Sequence, residues 1–322
     1  MGQTVKWGMI GLGGIAEDFA MGFPSDQAEL VAVASRKLQH AKEFAARYSA
    51  PKAYGNYHLL MRDPEVEAVY IATPNHRHGQ DILNCLKNGK HVLCEKSITL
   101  TTEELKEAIQ LAEEKQLWLA EAMTIYHMPL YEQLPDILKS KELGKIRMVQ
   151  SFFGAAKEYD PENRFYSKEL GGGALFDIGV YALAFIRIFL DDSPVSLSSF
   201  ANLTETGVDQ EATIQLRNET GQMAQAMLSF HSDMPRVGWI LCENGYVEIP
   251  AYSRADQAFI TYSDGRKETI ESGKRTAALQ YELERFSHTI LTGKDHTSLS
   301  LTQDVTNWMD QLAKEWGMIV EQ

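Results

Sequence analysis

The apolar positions in the first 124 residues follow two alternating patterns. Short continuous apolar runs, typical of strands buried on both faces, alternate with stretches in which apolar residues recur every three or four positions, typical of helices. The predicted strands cover residues 5–10, 29–35, 68–72, 91–94 and 117–121. This order of strands and helices predicts an α/β domain over residues 1–124, with a doubly wound parallel sheet covered by helices on both faces.

From about residue 125 the pattern changes to strands separated by turns. Predicted strands at 147–155, 195–202, 210–216, 223–231 and 239–249 are divided by polar turn sequences such as Asn218-Glu-Thr-Gly221. Helical spacing is found at about 129–140, 178–190 and 278–292, and in a last helix over about 302–316. We therefore predict an α+β domain over residues 125–322 with a large, mostly antiparallel sheet. We expect the last helix to pack back on the first domain.

A glycine-rich loop, Gly11-Leu12-Gly13-Gly14-Ile15-Ala16, lies between the first strand and the first helix. In a dinucleotide-binding turn, one glycine allows the strand to reverse into the helix and the next allows the backbone to approach a pyrophosphate. A third small residue then lets helix and strand lie close together. The helix N-terminus presents N–H groups and a partial positive charge to the phosphates. The loop therefore predicts a dinucleotide cofactor.

The end of the second strand indicates which dinucleotide is bound. An NAD site usually has Asp or Glu here to bind the ribose 2′-hydroxyl, whereas an NADP site needs cations for the 2′-phosphate. This chain has Ser35, Arg36 and Lys37. Arginine binds phosphate bidentately and lysine adds a point charge, so these residues favour NADP(H) over NAD(H). The same two cations also suit the solvated start of a helix.

Further polar segments follow the next strands. Thr73-Pro74-Asn75, with His78 close behind, follows the third strand, and Glu95-Lys96 follows the fourth. Ligands of open parallel sheets bind beyond the carboxyl ends of the strands. We therefore expect these segments to meet the glycine loop at one edge of the sheet.

The composition excludes several classes of function. The chain has 322 residues and a net charge of −13, which argues against a nucleic-acid partner because phosphate-backbone binding depends on an excess of Lys and Arg. We find no run of about 18 apolar residues and no signal-peptide core, so we expect a cytoplasmic protein without membrane contact. The three cysteines, Cys85, Cys94 and Cys242, have no metal-ligand spacing, and we expect no metal site.

One segment of the second domain carries candidate chemistry. Gly171-Gly172-Gly173 precedes Asp177 and Tyr181. The last two residues are four positions apart, which places both on one face of a helix. The glycines allow the close approach of another backbone or a ligand. From the residues alone, Tyr181 is equally well explained as a core tyrosine.

Together these segments resemble the Gfo/Idh/MocA family of oxidoreductases, which includes glucose-fructose oxidoreductase and inositol dehydrogenase. The resemblance covers essentially the whole chain and rests on the glycine loop, residues 72–78, Glu95-Lys96 and residues 171–181. It implies an N-terminal Rossmann domain and a C-terminal domain whose open sheet often forms the oligomer contact, hence a homo-oligomer, either a dimer or a tetramer. It also implies hydride transfer between NAD(P) and a small molecule such as a sugar, polyol, vicinal diol or dicarbonyl.

The resemblance implies roles for individual residues. Tyr181 would act as the acid/base, Lys96 as its electrostatic partner, and Asp177 would orient Lys96 or a substrate hydroxyl. The remaining implied contacts with the cofactor come from Thr73, Pro74, Asn75, His78, Glu95 and Lys96. Arg164 and Tyr166 are candidate substrate contacts.

The chain departs from the usual family pattern at two positions. Ser97 replaces a proline, and Tyr181 replaces the histidine of many members. The tyrosine and Ser35-Arg36 resemble the branch that contains dimeric dihydrodiol dehydrogenases and NADP-dependent xylose dehydrogenases. Two alternatives stay open: a non-catalytic NAD(P)-binding sensor or regulator, and redox-neutral chemistry on a retained nicotinamide. The presence of both Lys96 and Tyr181 favours an oxidoreductase.

Overall fold

The structure, a computed structural model, describes residues 3–140 and 142–319. The chain divides into two units. The first unit comprises the chain up to Met123 together with Leu279–Leu299, and the second comprises Thr124–Ala278 and the chain from Ser300 onwards. The first unit is therefore built from two separate segments of the chain.

The strands and helices are labelled in chain order. The strands are β1 (Val5–Ile10), β2 (Ala28–Ala34), β3 (Lys52–Tyr54), β4 (Ala68–Ile71), β5 (His91–Glu95), β6 (Leu119–Ala122), β7 (Ile146–Gly154), β8 (Ser196–Leu203), β9 (Asp209–Arg217), β10 (Met223–Ser229), β11 (Val237–Cys242), β12 (Gly245–Pro250), β13 (Gln257–Tyr262) and β14 (Lys267–Glu271). The helices are α1 (Gly14–Ala20), α2 (Leu38–Tyr48), α3 (Tyr57–Met61), α4 (His78–Lys87), α5 (Thr102–Lys115), α6 (Thr124–His127), α7 (Pro129–Ser140), α8 (Val180–Phe189), α9 (Ala278–Thr292) and α10 (Leu299–Glu315).

The sheet of the first unit has the order β3-β2-β1-β4-β5-β6, and every neighbouring pair is parallel. The chain reverses its winding direction between β1 and β4, which creates the crevice where open α/β sheets bind ligands. The predicted doubly wound parallel sheet is confirmed. The short edge strand β3 was not predicted, because three half-buried residues carry little periodic signal.

Apolar side chains cover both faces of this sheet. One face packs a cluster that includes Trp7, Phe19 and Tyr70. The other face packs a cluster that includes Ile82 and Leu105, from α4 and α5. The strands are buried on both sides, which explains why they lack polar alternation in the sequence.

The late helix that joins the first unit is α9. Its Leu283 and Phe286 are buried in the cluster around Trp7, and Trp7 Nε1 donates to Ser287 Oγ at 3.1 Å. We expected the last helix, about 302–316, in this position. The structure instead assigns α10 to the second unit, where Arg187 Nε donates to Asp304 Oδ2 at 2.6 Å.

The sheet of the second unit has eight strands in the order β14-β13-β12-β11-β7-β10-β9-β8. Its neighbours are antiparallel except for β7 and β10, which are parallel, so the predicted mostly antiparallel sheet is confirmed. A parallel pair requires a crossover connection. Helix α8 lies on this crossover and packs against both strands. Strands β13 and β14 were not predicted.

One helical segment, Lys168–Phe189, is long and apolar enough to cross a membrane by length and composition alone. Its most apolar window is 78% buried within the structure, and Phe185 and Ile186 are completely covered. Such burial is that of a core helix, so this segment is weak evidence for a membrane span.

Candidate active site

The glycine loop leaves bare backbone at the N-terminus of α1. Gly11 has a φ of +82°, and a Cβ atom here would lie 2.4 Å from the carbonyl carbon and oxygen of Ala72, so only glycine fits. At Gly13 and Gly14 a Cβ atom would meet nothing within 4 Å among the described residues. Ala16 is buried. This arrangement fits the close approach of a dinucleotide pyrophosphate to the backbone.

The segment after β2 presents two exposed cations. Ser35 is buried, and its Oγ accepts from the Lys37 N–H at 3.4 Å, whereas the side chains of Arg36 and Lys37 are exposed. Burial raises the pKa of Tyr57, and the nearby charge of Arg36 opposes that rise. The residues therefore place positive charge at the end of β2, where a ribose 2′-phosphate would be bound.

The turn after β4 is anchored by an aspartate of α4. Thr73 Oγ1 donates to Asp81 Oδ2 at 2.9 Å, and Arg77 forms an ion pair with Asp81 at 2.8 Å. Pro74 precedes a short 3₁₀ turn over Asn75–Arg77. Asp81 therefore holds the Thr73 turn against α4. Sequence reasoning did not assign this role to Asp81.

His78 does not lie where we expected. Its side chain is completely buried, with Nδ1 at 2.7 Å from the Ser97 carbonyl oxygen and Nε2 at 2.7 Å from the Thr73 carbonyl oxygen. A covered ring whose two nitrogens both face backbone carbonyls has no surface for a cofactor. The ring instead connects the turns after β4 and β5.

The Glu95-Lys96 turn is stabilised by hydrogen bonds of the buried Glu95 carboxylate. Glu95 is buried, accepts from the Tyr70 hydroxyl through Oε1, and accepts from the Lys96 N–H through Oε2 at 3.3 Å. Burial, followed by the nearby Glu95 carboxylate, raises the pKa of Tyr70 well above its usual range, so the hydroxyl is the donor. The peptide bond between Lys96 and Ser97 is cis. The Glu95 carboxylate thus orders the turn that carries Lys96.

A second buried carboxylate supports the same turn. Glu121 of β6 is only 1% exposed, and its Oε1 accepts from the Ile98 N–H at 3.0 Å. Sequence reasoning gave Glu121 no role, although its position near the end of a parallel strand is a signal that could have found it. Glu121 and His78 therefore support the residues that follow Lys96.

The second unit gives Asp177 a partner that the sequence did not reveal. Asp177 lies in a π-helical turn over Leu175–Gly179, immediately before α8. Lys157 Nζ lies 3.4 Å from Asp177 Oδ2, and both side chains are mostly buried. We had expected Asp177 to orient Lys96 or a substrate hydroxyl. Within its own unit it is paired with Lys157.

Tyr181 lies in an aromatic environment on α8. Its ring centroid is 6.2 Å from that of Phe153, which is also 6.2 Å from the ring of Tyr252. The Arg236 guanidinium lies 4.2 Å from the Phe153 centroid, within cation–π range. The second unit therefore gathers two cations, Lys157 and Arg236, around the elements that carry Asp177 and Tyr181.

The two candidate substrate residues have different environments. Arg164 is exposed and lies over the Phe165 ring at 4.2 Å. Tyr166 is 1% exposed, and its hydroxyl donates to the Lys157 carbonyl oxygen at 3.1 Å. Tyr166 is therefore a core residue that supports the Lys157 segment, and its hydroxyl is engaged by the backbone.

The three cysteines are at least partly buried, and His91 bonds the backbone. Cys85 and Cys94 are buried, and Cys242 is partly buried. The His91 Nδ1 atom accepts from the Trp118 N–H at 2.9 Å. Among the residues that the structure describes, no group of three or more His, Cys, Asp and Glu side chains is placed to hold a metal ion.

Two family models match the chain. The model of the oxidoreductase family with an NAD-binding Rossmann fold, GFO_IDH_MocA, matches residues 5–123. The model of the GFO/IDH/MocA C-terminal domain matches residues 131–248. Each match lies in one of the two units.

The curated relatives that this chain matches are named as dehydrogenases. The chain is 30% identical to trans-1,2-dihydrobenzene-1,2-diol dehydrogenase of Xenopus tropicalis over 329 residues, which cover 98% of this chain and 99% of that protein. It is 33% identical to the Mus musculus protein of the same name, over 77% of this chain and 75% of that one.

Solved structures share the fold. KijD10, a 3-ketoreductase from Actinomadura kijaniata in complex with NADP and TDP-benzene, has a TM-score of 0.85 at 23% identity and covers 96% of both chains. The UDP-N-acetylglucosamine 3-dehydrogenase GnnA from Acidithiobacillus ferrooxidans has a TM-score of 0.81 at 22% identity, again over 96% of both chains.

Proposed function

The chain belongs to the Gfo/Idh/MocA family of oxidoreductases and is an NAD(P)-dependent dehydrogenase or reductase, and on that premise we propose its cofactor and substrate class. The cofactor is NADP(H). The substrate is a sugar, polyol or vicinal diol, or the corresponding dicarbonyl in the reductive direction. When bound, the nicotinamide supplies two-electron chemistry at a carbinol carbon.

The observation that carries the cofactor proposal is the pair of exposed cations after β2. Arg36 and Lys37 stand at the strand end where NAD-specific sites have a carboxylate, and residues 35–37 contain no Asp or Glu. A guanidinium and an ammonium stabilise a 2′-phosphate, whereas a ribose hydroxyl gains little from them. The bare backbone at Gly13 and Gly14 would hold the pyrophosphate.

In the proposed chemistry, the residues of this chain move and stabilise a proton. In the oxidative direction the Tyr181 phenolate accepts the proton of the substrate hydroxyl. In the reductive direction the Tyr181 hydroxyl donates it. A phenol has a pKa of about 10, and a neighbouring ammonium favours its ionised form. We assign that ammonium to Lys96, whose turn is ordered by Glu95, Glu121 and His78. Asp177, paired with Lys157, would bind a substrate hydroxyl.

The substrate class is supported by two features. Lys157 and Arg236 add hydrogen-bond donors around Asp177 and Tyr181, which suits a molecule with several oxygen atoms. The relatives in frogs and mouse are named for a vicinal diol, and the structural neighbours are named for sugar nucleotides and a ketoreductase. A polyhydroxylated substrate is compatible with both.

We further propose that the protein is a homo-oligomer, a dimer or tetramer, formed through the open face of the eight-stranded sheet. Edge strand β8 carries Phe200, which is 82% exposed, and Leu203. Val195, just before β8, and Met223 of β10 are also exposed. Exposed apolar residues at one end of a sheet are typical of an interface. The substitution Phe200→Glu should shift the mass measured by light scattering towards the monomer.

We also propose a cytoplasmic location for the protein.

The test is the change in cofactor absorbance with NADP⁺ against a panel of aldoses, cyclitols and trans-diols, and with NADPH against dicarbonyls. The matched variants are Lys96→Met and Lys106→Met, the second being an exposed lysine on α5. We expect turnover on one substrate class, with loss only in Lys96→Met. A protein that binds NADPH but turns over none of these compounds would support the sensor alternative.

A further inference from the structure

A buried aspartate on strand β9 bonds the first turn of the helical segment that carries the proposed catalytic residues. Asp209, the first residue of β9, has no exposed surface. The N–H of Leu175 lies 2.9 Å from its Oδ2 and 3.2 Å from its Oδ1. The first N–H groups of a helix have no partner within the helix, so this carboxyl satisfies a group that would otherwise be buried without one.

The third glycine of the triple-glycine segment makes room for this carboxyl. Gly173 has a φ of +113°, and a Cβ atom here would lie 2.3 Å from Asp209 Oδ1. The Gly173 carbonyl oxygen then accepts from the Asp177 N–H at 3.2 Å. Asp209 therefore packs closely against Gly173 and bonds Leu175, and Gly173 in turn bonds Asp177.

We propose that Asp209 is a positioning residue for the active site, and that its ionised carboxylate fixes the N-terminal turn from which Asp177 and Tyr181 are presented. A negative charge at a helix N-terminus forms stronger bonds to N–H groups than a neutral carboxyl does. Loss of the charge therefore loosens the π-helical turn and displaces both side chains. The assignment rests on the proposed function of Asp177 and Tyr181.

The surroundings of Asp209 make its charge responsive near neutral pH. Burial raises its pKa to about 7, and the N–H groups of Leu175, Asp209 itself and Ala174 oppose that rise. In the described part of the chain, no charged side chain contributes to this shift. Two charged side chains lie near this segment: Lys168, beside Gly207, donates to the Gly317 carbonyl oxygen, and Glu211, two residues along β9, faces His231 at 3.7 Å. The charge of the Asp209 carboxyl is therefore stabilised by backbone contacts alone.

The test compares the full-length protein with Asp209→Asn, which keeps the shape of the side chain and removes its charge. The matched control is Asp63→Asn, a buried carboxylate of the first unit bonded to Lys52 and Tyr54. Two readouts are taken across about pH 5.5 to 8.5: kcat and KM with NADP⁺, and the ¹⁹F signal of 4-fluorophenylalanine, which has no titratable group, placed at position 176 in the π-helical turn.

We expect the wild-type ¹⁹F signal and kcat to change together near pH 7. In Asp209→Asn that change should be absent, and kcat should be about tenfold lower, with KM for NADP⁺ unchanged. Asp63→Asn should keep both wild-type profiles. The proposal is overturned if the step persists in Asp209→Asn, or if that variant keeps wild-type kcat at every pH.

Two further outcomes separate this proposal from the proposed function. If the wild-type protein shows no turnover, the oxidoreductase substrate proposal fails, while the ¹⁹F titration still decides the role of Asp209. If Asp209→Asn does not fold, the wild-type ¹⁹F titration decides alone: a flat signal across this pH range contradicts the proposal, and a step near pH 7 supports it.

Discussion

Lys157 Nζ and Asp177 Oδ2 lie 3.4 Å apart in the second unit, with only 19% and 16% of the side chains exposed. The ammonium also lies 3.7 Å from the centroid of the Phe165 ring. Neither contact was visible in the sequence, since the two residues are separated by a loop and a triple glycine. The pair gives Asp177 a fixed orientation before any substrate arrives.

The substitution Lys157→Met should therefore impair both stability and activity. Removal of one partner leaves Asp177 in a mostly buried position without its cation, and we expect the free energy of unfolding to fall by about 1 to 3 kcal/mol. The kcat/KM for substrate should fall about tenfold or more, while the Kd for NADP⁺ stays unchanged. Lys139→Met, at an exposed position, is the control. Equal substrate kinetics in both variants would exclude Lys157 from the site.

Arg36→Ala should change cofactor preference. Loss of a charge-assisted contact to a 2′-phosphate removes about 1.5 to 3 kcal/mol, so the Kd for NADPH should rise roughly tenfold to a hundredfold. The Kd for NADH should hardly change. Arg47→Ala, an exposed arginine on α2 that pairs with Glu17, is the matched control for fluorescence titrations with both cofactors. A parallel loss of NADH and NADPH affinity would contradict the 2′-phosphate interpretation.

Tyr181→Phe should remove most turnover and leave cofactor binding intact. A missing acid/base group lowers kcat by about 10² to 10⁴. Tyr246→Phe, at an exposed position on β12, should behave as wild type. Steady-state kinetics and an NADPH titration of the two variants make the comparison. Near-normal kcat in Tyr181→Phe would make this residue a core tyrosine.

His78→Gln should reduce the dependence of stability on acid pH. Burial lowers the pKa of His78, although its bonds to Ser97 and Thr73 oppose that change. The unfolded chain therefore binds this proton more tightly. Stability is complete above the usual histidine pKa of about 6.5 and is lost as the pH falls through the folded-state pKa.

Urea unfolding between about pH 5 and pH 8 measures this effect. Burial also lowers the pKa of His91 and His296, so some acid sensitivity should persist in His78→Gln. His58→Gln, at an exposed position on α3, should retain the full wild-type dependence. An identical acid slope in both variants would argue against a buried, neutral His78.

The local chemistry of the first unit could be predicted because it depends on neighbours in sequence. The glycine loop forms the expected strand-to-helix turn, and Thr101 caps α5 by accepting from the Glu104 N–H at 3.2 Å, as its spacing predicts. Polar residues after each strand could also be placed at one sheet edge, because parallel strands all end there.

Partner choice between distant segments could not be predicted. Helices α9 and α10 are both amphipathic, and periodicity shows which face of a helix is apolar without showing what covers it. The burial of His78 could not be predicted either. One of the two carbonyl oxygens that its ring faces belongs to Thr73, close in sequence, but the other belongs to the distant Ser97. Lys157 and Arg236 lie in loops without any motif.

The contribution of α9 to the first unit has a consequence for biosynthesis. A ribosome that has synthesised the chain as far as Met123 has made every strand of the parallel sheet, but has not yet made Leu283 and Phe286, which cover the Trp7 face. That apolar face lacks these two side chains while residues 124–278 of the second unit are translated. The nascent cofactor-binding unit is thus a substrate for chaperones until the chain is nearly finished.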